Sequence, residues 1–466
     1  METEQAHRVF LVGFRTSEVA ALQAEGVDVQ ALIHVLARRE TTHPDGIESY
    51  EHFNTVRCEM DPAPGSATLD EAQKADLYDR AFQLFRRHYN RIPFTRQHAL
   101  RSWTHSDNLF FLSAQVFYDI LIRRKITAVV FANFPHEGSF IILYHLAKML
   151  GLEVLITSQT NFTRKFWIVK SIEDLGVFDT VQGEGQTLPL PHAPETPFYM
   201  KRAGKYRRAF TVGTRILSEY LKMGGKILTL KVLWDPHSFD RNMNRLALAR
   251  ERFRIGDPSP DDVVDVDMDV PFIYFPMHFQ PEMTTDTWGF DYGDQLRALE
   301  ALSAAAPDGM LIYAKENPVQ TSFMREESFY RRLRCLTNVR YVSYGVSSFD
   351  LIRKSACVAT ITGTAGWEAA LLQKGAIHFG VAWYSSLPGV FRWDGPETLQ
   401  KALDYRGDRD ALAAAFDRLC GKMYSGVVNA DFASALPDFD EATEVRQAAR
   451  AIARVLTEGA RGRLDP

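Results

Sequence analysis

The chain has four cysteines in 466 residues, Cys58, Cys335, Cys357 and Cys420, and no two of them stand at CxxC spacing. Zinc sites and disulfide frameworks need such clusters, so neither is expected and the thiols read as buried and reduced. No apolar run approaches the roughly 18 residues of a membrane-spanning helix. The opening "METEQAHRVFLVG" lacks a basic segment followed by a long apolar core, so a cytoplasmic protein is expected. Positive charge is not in excess either. The formal net charge is −4, which argues against nucleic acid as a general partner. Short-period repeats and low-complexity tracts are missing. A dinucleotide fingerprint is missing as well, because "GFRTSEV" after the first apolar run lacks the second and third glycines that a Rossmann oxidoreductase places there.

Hydrophobic residues make up 46% and charged residues 24%, the profile of a globular protein with a well-buried interior. The length suits two domains with connecting material. "RVFLVGF" reads as a strand, and "TSEVAALQAEG" as a short helix capped by Thr16 or Ser17 and stopped by Gly26. "VQALIHVLA" reads as the next strand, and helical patterns run from Thr68 to Tyr89 and from Ser106 to Arg123. "ITAVVFANF", "PHEGS", "FIILYHLAKMLG" and "LEVLITSQT" then form strand, loop, helix and strand, which predicts a parallel sheet with a right-handed crossover. "EGQTLPLPHAPETP" is proline-rich and reads as a linker. A second alternation begins at "VPFIYFPM" and continues through "GMLIYAKENP", "SSFDLIRKSA", "CVATIT", "AGWEAALLQKG" and "AIHFGV". The fold class is therefore α/β, with two doubly wound Rossmann-type sheets facing a central cleft. The expected divisions are an acceptor-side domain over 1–185, a linker and basic helical segment over 186–265, a donor-side domain over 266–435, and a helix and tail over 436–466.

Open α/β sheets bind ligands beyond the carboxyl ends of their strands, and polar residues gather at those ends here. "PHEGS" offers His136 and Glu137 as proton acceptors from an acceptor hydroxyl. After "FIYFPM" come His278 and Gln280, candidates to bind the donor, and Glu282, a third candidate catalytic residue beside His136 and Glu137, in a loop longer than a βα connection needs. Lys315 and Asn317 follow "LIYA", where a lysine neutralises a phosphate as a point charge or forms a surface ion pair. "TITGTAGWE" places Thr362, Gly363, Thr364, Gly366 and Glu368 between a buried strand and a helix. Such a terminus presents unpaired N–H groups to an anion, and glycines admit it closely; an ordinary helix cap by Thr362 or Thr364 is the alternative. Asp265 and Asp267 stand at DxD spacing, but within an acidic connector rather than a metal loop. The basic residues of 200–231, among them Lys201, Arg202, Lys205 and Arg207, suit an anionic membrane surface, an anionic acceptor, or a solvated helical face.

The stretch from Tyr341 to Gly380 resembles the C-terminal half of bacterial capsule polysaccharide biosynthesis proteins, glycosyltransferases of the two-Rossmann-domain (GT-B) type that include Kdo transferases. The residues that carry the resemblance are Asp350, Leu351, Ile352, Thr362, Gly363, Thr364, Gly366, Trp367, Glu368, Lys374, Gly375, Gly380 and Tyr384. "AKENP" is similar to that family's Lys-Pro-His-Pro loop through Lys315 and Pro318, with Asn317 where the histidine stands. Asparagine can hydrogen-bond a phosphate but supplies neither its charge nor a proton. "PMHFQPEMTT" is similar to the first loop of the family's C-terminal domain through Gln280, Pro281 and Glu282. The resemblance implies transfer of a sugar from a nucleotide sugar, CMP-Kdo being one candidate, to a surface polysaccharide or lipid-linked acceptor. No cofactor or metal is implied. Two alternatives stay open: a nucleotide-sugar epimerase on the same fold, and a non-catalytic nucleotide-sugar-binding or scaffold protein of polysaccharide assembly.

Overall fold

A computed structural model describes residues 7–34, 46–52, 55, 60–62, 65–91, 103–195, 221, 266–280, 282–317, 320, 327–342, 345–436 and 438–461. The first unit is built on a seven-stranded sheet in the order β13-β6-β5-β4-β1-β2-β3. Its strands are β1 (Arg8–Phe14), β2 (Asp28–His34), β3 (Glu48–Glu51), β4 (Ala128–Phe131), β5 (Glu153–Gln159), β6 (Lys165–Val169) and β13 (Tyr424–Ser425). β1 to β5 run parallel, and β6 joins antiparallel to β5. "AVVF" of β4 is buried at every position, as a strand covered by helices on both faces must be. Helices Glu71–Arg91, Trp103–Arg123 and Ser139–Met149 cover one face through Leu77, Phe82, Phe110, Phe117 and Ile142. The helix Thr16–Ala24 covers the other, together with the last helix, Glu441–Arg461, which brings Ala448, Ile452 and Val455 against Val9 and Leu11.

The second unit has a six-stranded sheet in the order β12-β11-β10-β7-β8-β9. It comprises β7 (Phe272–Pro276), β8 (Leu311–Lys315), β9 (Val339–Val342), β10 (Cys357–Thr360), β11 (Ala376–His378) and β12 (Val390–Arg392). Every pairing is parallel. After it the chain returns to the first sheet, where β13 (Tyr424–Ser425) pairs antiparallel with β6. The segment 436–461 therefore packs on the first unit, and the proline-rich connector is fastened to the same return through Glu184 N–H to Met423 O (3.1 Å) and Gly185 N–H to Gly421 O (3.0 Å).

Strand order reverses between β1 and β4 in one sheet and between β7 and β10 in the other. These are the switch points at which loops diverge and leave a crevice. His136 and Glu137 follow β4; His278 follows β7; Thr362 and Gly363 follow β10. The two units meet through one continuous apolar cluster. Phe162 lies 5.8 Å from Trp383 and 5.5 Å from Phe416, and Trp167 lies 5.5 Å from Trp383. Phe134, in the β4 loop, meets Trp288, in the β7 loop, edge to face at 4.9 Å. That contact brings the two switch-point loops together.

One cap differs from the sequence expectation. Arg15, not Thr16 or Ser17, caps the first helix; its N–H donates to Glu18 Oε2 at 2.7 Å, and its guanidinium holds Glu18 Oε1 at 2.8 Å. The two hydroxyls are used elsewhere: Thr16 Oγ1 lies 2.8 Å from His34 Nε2, and Ser17 donates to Glu441 at 3.0 Å. Long-range partners outcompete the local cap.

Candidate functional site

At the second switch point the loops after β7 and β10 are joined directly. Thr362 N–H donates to His278 Nε2 at 3.3 Å, and Thr362 Oγ1 donates to the Thr284 carbonyl at 2.9 Å. The loop carrying His278 is clamped by Gln295, fully buried at the start of helix Gln295–Ala305. Its amide accepts from His278 N–H (2.8 Å) and donates to His278 O (3.1 Å) and Gln280 Oε1 (2.9 Å). Gln320 repeats the device toward the β8 loop, accepting from Gln280 N–H (2.8 Å) and donating to Gln280 O (3.1 Å). A buried amide that makes all these bonds is satisfied and rigid. Neither glutamine was marked by the sequence pattern.

The turn after β10 enters the helix Ala365–Leu371 with Thr364 at its N-cap position. Thr364 does not cap with its side chain; its hydroxyl donates to Glu368 Oε1 at 3.3 Å. Gly363 N–H donates to Thr360 Oγ1 at 3.1 Å, and the Tyr384 hydroxyl donates to Gly363 O. The glycines are tightly surrounded. A Cβ on Gly363 would meet Thr360 Oγ1 at 2.8 Å and His278 Nε2 at 3.1 Å, and one on Gly366 would meet Tyr384 ring carbons at 2.7 and 2.8 Å. The close approach they permit is in the first instance to protein.

Lys315 ends β8 and is only 7% exposed. Its Nζ donates to Ser348 Oγ at 2.6 Å, and the Tyr274 hydroxyl reaches the same oxygen at 3.3 Å. Burial lowers the Lys315 pKa, against the pull of the Glu368 charge; burial raises that of Glu368, opposed by the Thr364 hydrogen bond and by Lys315. A desolvated cation and a desolvated carboxylate thus feel each other's charge, and an anion beside Lys315 would favour its charged form. Asn317 donates its N–H to Glu316 Oε1 at 2.7 Å, and Glu316 in turn accepts from Tyr341 at 3.0 Å. Glu282 stands at the N-cap position of the helix Met283–Asp286 without capping it through its side chain; its carboxylate accepts from Thr284 Oγ1 at 2.6 Å.

At the first switch point His136 Nδ1 donates to the Phe134 carbonyl at 2.7 Å. A carbonyl can only accept, so Nε2 is the basic nitrogen of the neutral ring. Glu137 Oε1 lies 3.8 Å from that nitrogen, and Glu137 Oε2 lies 2.8 Å from His52 Nε2. His136 and Glu137 therefore stand together, on the opposite unit from His278, Gln280, Glu282, Lys315, Asn317, Thr362, Gly363, Thr364, Gly366 and Glu368.

Other expectations fall outside this region. Asp265 and all of 200–231 except Leu221 lie outside the described residues, and Asp267 accepts from Asp269 N–H at 2.9 Å. Among the described residues no group of three or more His, Cys, Asp or Glu side chains is placed to hold a metal, and no helix is long and apolar enough to cross a membrane. Cys357 and Cys420 are buried, their thiols pushed up to about 12 by desolvation, whereas Cys335, expected to be buried, is exposed at the end of a surface helix.

Two histidines, His378 buried and His145 partly buried, carry a stability prediction. Desolvation holds His145 and His378 down to about 4, and His378 is 3% exposed with Nδ1 donating to Gly380 O at 2.7 Å. Their folded pKa values lie below the unfolded value of about 6.5, so the unfolded chain binds more protons between those limits. Stability is full above about pH 6.5 and falls as pH drops toward 4, by on the order of 2–3 kcal/mol per histidine. Denaturant midpoints measured from pH 7.5 to 4.5 should decline, and His378→Asn, which keeps a donor near the Nδ1 position, should flatten the decline. A midpoint unchanged over that range would refute it.

Residues 288–425 match the family model described as capsule polysaccharide biosynthesis protein. The matched stretch contains Lys315, Asn317 and the whole Thr362–Glu368 turn; it omits His136, Glu137, His278, Gln280 and Glu282. No curated protein matches the chain. Similar solved structures include KpsC of Thermosulfurimonas dismutans as beta Kdo 2,4 transferase, with 15% identity over 62% of this chain and 79% of that chain and a TM-score of 0.30. Its beta Kdo 2,7 transferase shows 10% identity over 68% and 84%, with a TM-score of 0.32. A UDP-GlcNAc 2-epimerase from Methanocaldococcus jannaschii, in complex with UDP-GlcNAc and UDP, shows 11% identity over 97% and 99%, with a TM-score of 0.24.

Proposed function

We propose that this chain, which carries the capsule polysaccharide biosynthesis pattern over residues 288–425, is a glycosyltransferase that moves a sugar from a nucleotide sugar to a growing surface polysaccharide or lipid-linked acceptor. The observation that carries the reading is the pairing of two switch-point crevices across the Phe134–Trp288 contact. One crevice presents a proton acceptor and the other an anion cradle. The donor phosphate would lie at the first turn of helix Ala365–Leu371, against Thr364 and the backbone N–H groups of Ala365 and Trp367, which precede its first i→i−4 bond, from Glu368 N–H to Thr364 O (2.9 Å); the Gly366 N–H donates to Gly363 O at 3.2 Å. Lys315 supplies the compensating charge. His278 and Gln280 shape the loop wall, Asn317 adds a polar edge, and Glu282 or Glu368 accepts from ribose or sugar hydroxyls. CMP-Kdo is one donor consistent with the family resemblance.

As the glycosidic bond to phosphate breaks, negative charge grows on the leaving oxygen. Fixed N–H dipoles and an ammonium are already oriented toward it and need not reorganise, so this reading calls for no metal ion. On the acceptor side, His136 Nε2 takes the hydroxyl proton while Glu137 stabilises the imidazolium. Closure of the two units over the substrates excludes water, which otherwise hydrolyses the donor. The basic segment 200–231 is proposed to hold the protein at an anionic inner membrane surface, where such acceptors are assembled.

A thermal-shift comparison against CMP, CDP, UDP, GDP and ADP tests the donor site, because binding to the native state raises the melting temperature. One nucleotide should raise it by several degrees, and Thr364→Arg, which fills the first turn, should abolish the shift without lowering the melting temperature of the free protein. A shift that survives Thr364→Arg places the nucleotide elsewhere; no shift with any of them at millimolar concentration favours the scaffold alternative. Product analysis with the identified donor separates transfer from epimerisation.

A further inference from the structure

The segment that follows β3 reaches the first switch point from a distant part of the sequence. β3 is an edge strand held by charge: Arg123 grips both oxygens of Glu48 at 2.8 and 2.7 Å, Arg124 adds a third contact at 2.7 Å, and Arg123 leads in holding the Glu48 carboxyl down to about 2. Just beyond it, Ser139 Oγ donates to the Thr55 carbonyl at 2.7 Å and ties this segment to the start of helix Ser139–Met149. Between these anchors stands His52. Its ring packs edge to face on Phe140, with centroids 5.2 Å apart, and its Nε2 lies 2.8 Å from Glu137 Oε2. The other oxygen of the same carboxylate lies 3.8 Å from His136 Nε2.

We propose that His52 is a positioning residue for the His136–Glu137 pair: it holds one oxygen of Glu137 so that the other faces the basic nitrogen of His136. This role rests on the glycosyltransferase reading for its catalytic meaning, though not for its geometry. A carboxylate turns about its terminal bond at little cost. Held at one oxygen by a ring that is itself packed, it presents the second in a fixed direction. His52 touches no reacting atom and acts only through Glu137.

Two variants separate positioning from packing. His52→Phe keeps a ring on Phe140 and removes the nitrogen; His52→Gln restores an N–H donor. With histidine 15N-labelled, the ring resonances of His136 are compared by NMR at one fixed pH in the wild type, both variants, Glu137→Gln and the His52→Phe/Glu137→Gln double variant. The His136 Nε2 resonance should move in His52→Phe, move no further in the double variant than in Glu137→Gln, and return in His52→Gln. In transfer assays kcat should drop roughly 10- to 100-fold in His52→Phe with the donor KM unchanged. An unmoved His136 resonance in a His52→Phe protein that melts normally, or additive movements in the double variant, would overturn the proposal. If the resonances couple but the wild type transfers no sugar from any nucleotide donor, positioning stands and the glycosyltransferase reading falls. If the wild type transfers and the resonances do not couple, the reverse holds.

Discussion

Replacing His136 with alanine should lower kcat for sugar transfer by about 10²- to 10⁴-fold, the usual worth of a positioned general base, while the donor KM stays near its wild-type value. The separation follows from the architecture. His136 stands on the unit opposite the Thr362–Glu368 turn, so its loss would remove the proposed proton transfer without touching the proposed donor cradle. Glu137→Gln should cost less. At 3.8 Å a carboxylate and an imidazolium attract by about 1 kcal/mol in water and about 4 kcal/mol at an effective dielectric of 20. Glu137 is 37% exposed, so the lower end applies before the units close on substrate. Glu282→Ala should have the smallest effect on kcat, since its carboxylate is already engaged by Thr284. Steady-state kinetics with the donor identified by thermal shift provide the check. Unchanged turnover in His136→Ala, Glu137→Ala and Glu282→Ala together would remove the base from all three positions.

The placement of these residues could be read from sequence because the signal was local. Apolar runs such as "AVVF" and "CVAT" are strands buried on both faces, and each is followed directly by its polar loop. Chain order alone put His136, His278, Lys315 and Thr362 at carboxyl ends. What could not be read depends on partners far apart in the chain. Gln295 and Gln320 look like ordinary polar residues until the fold brings each against the backbone of the β7 loop. Ser348 opens a short helix, and only the sheet places it under Lys315. His52 follows a four-residue edge strand, β3, with no period to betray it. β13, two residues long, carries no pattern, yet it marks the return of the chain to the first sheet. The glycines teach the opposite lesson. Their meaning looked local, a turn open to phosphate, whereas the atoms nearest to Gly363 and Gly366 belong to His278, Thr360 and Tyr384.

That packing carries the second large effect, which falls on stability. Gly366→Ala should destabilise the fold by about 2–4 kcal/mol, from overpacking and a weakened hydrogen bond. Tyr384 is fully buried, its hydroxyl donates to Gly363 O, and its ring lies between Trp383 at 5.2 Å and His378 at 6.5 Å. The new methyl group would sit 2.7 Å from a ring carbon, well inside the roughly 3.5 Å of ordinary carbon contact. The ring must move, and its neighbours leave it no open direction. Denaturant titration of Gly366→Ala should show a lower midpoint with the slope unchanged, and Tyr384→Leu should recover part of the loss in the double variant, since it removes the atoms that clash. Thr364→Arg is the contrast: it should abolish the nucleotide-induced shift at little cost to the free protein. If Gly366→Ala instead leaves the midpoint intact and abolishes the nucleotide shift, the glycine is kept for the ligand rather than for Tyr384. The first turn of helix Ala365–Leu371 would then be open to phosphate along its whole length, not only at Thr364.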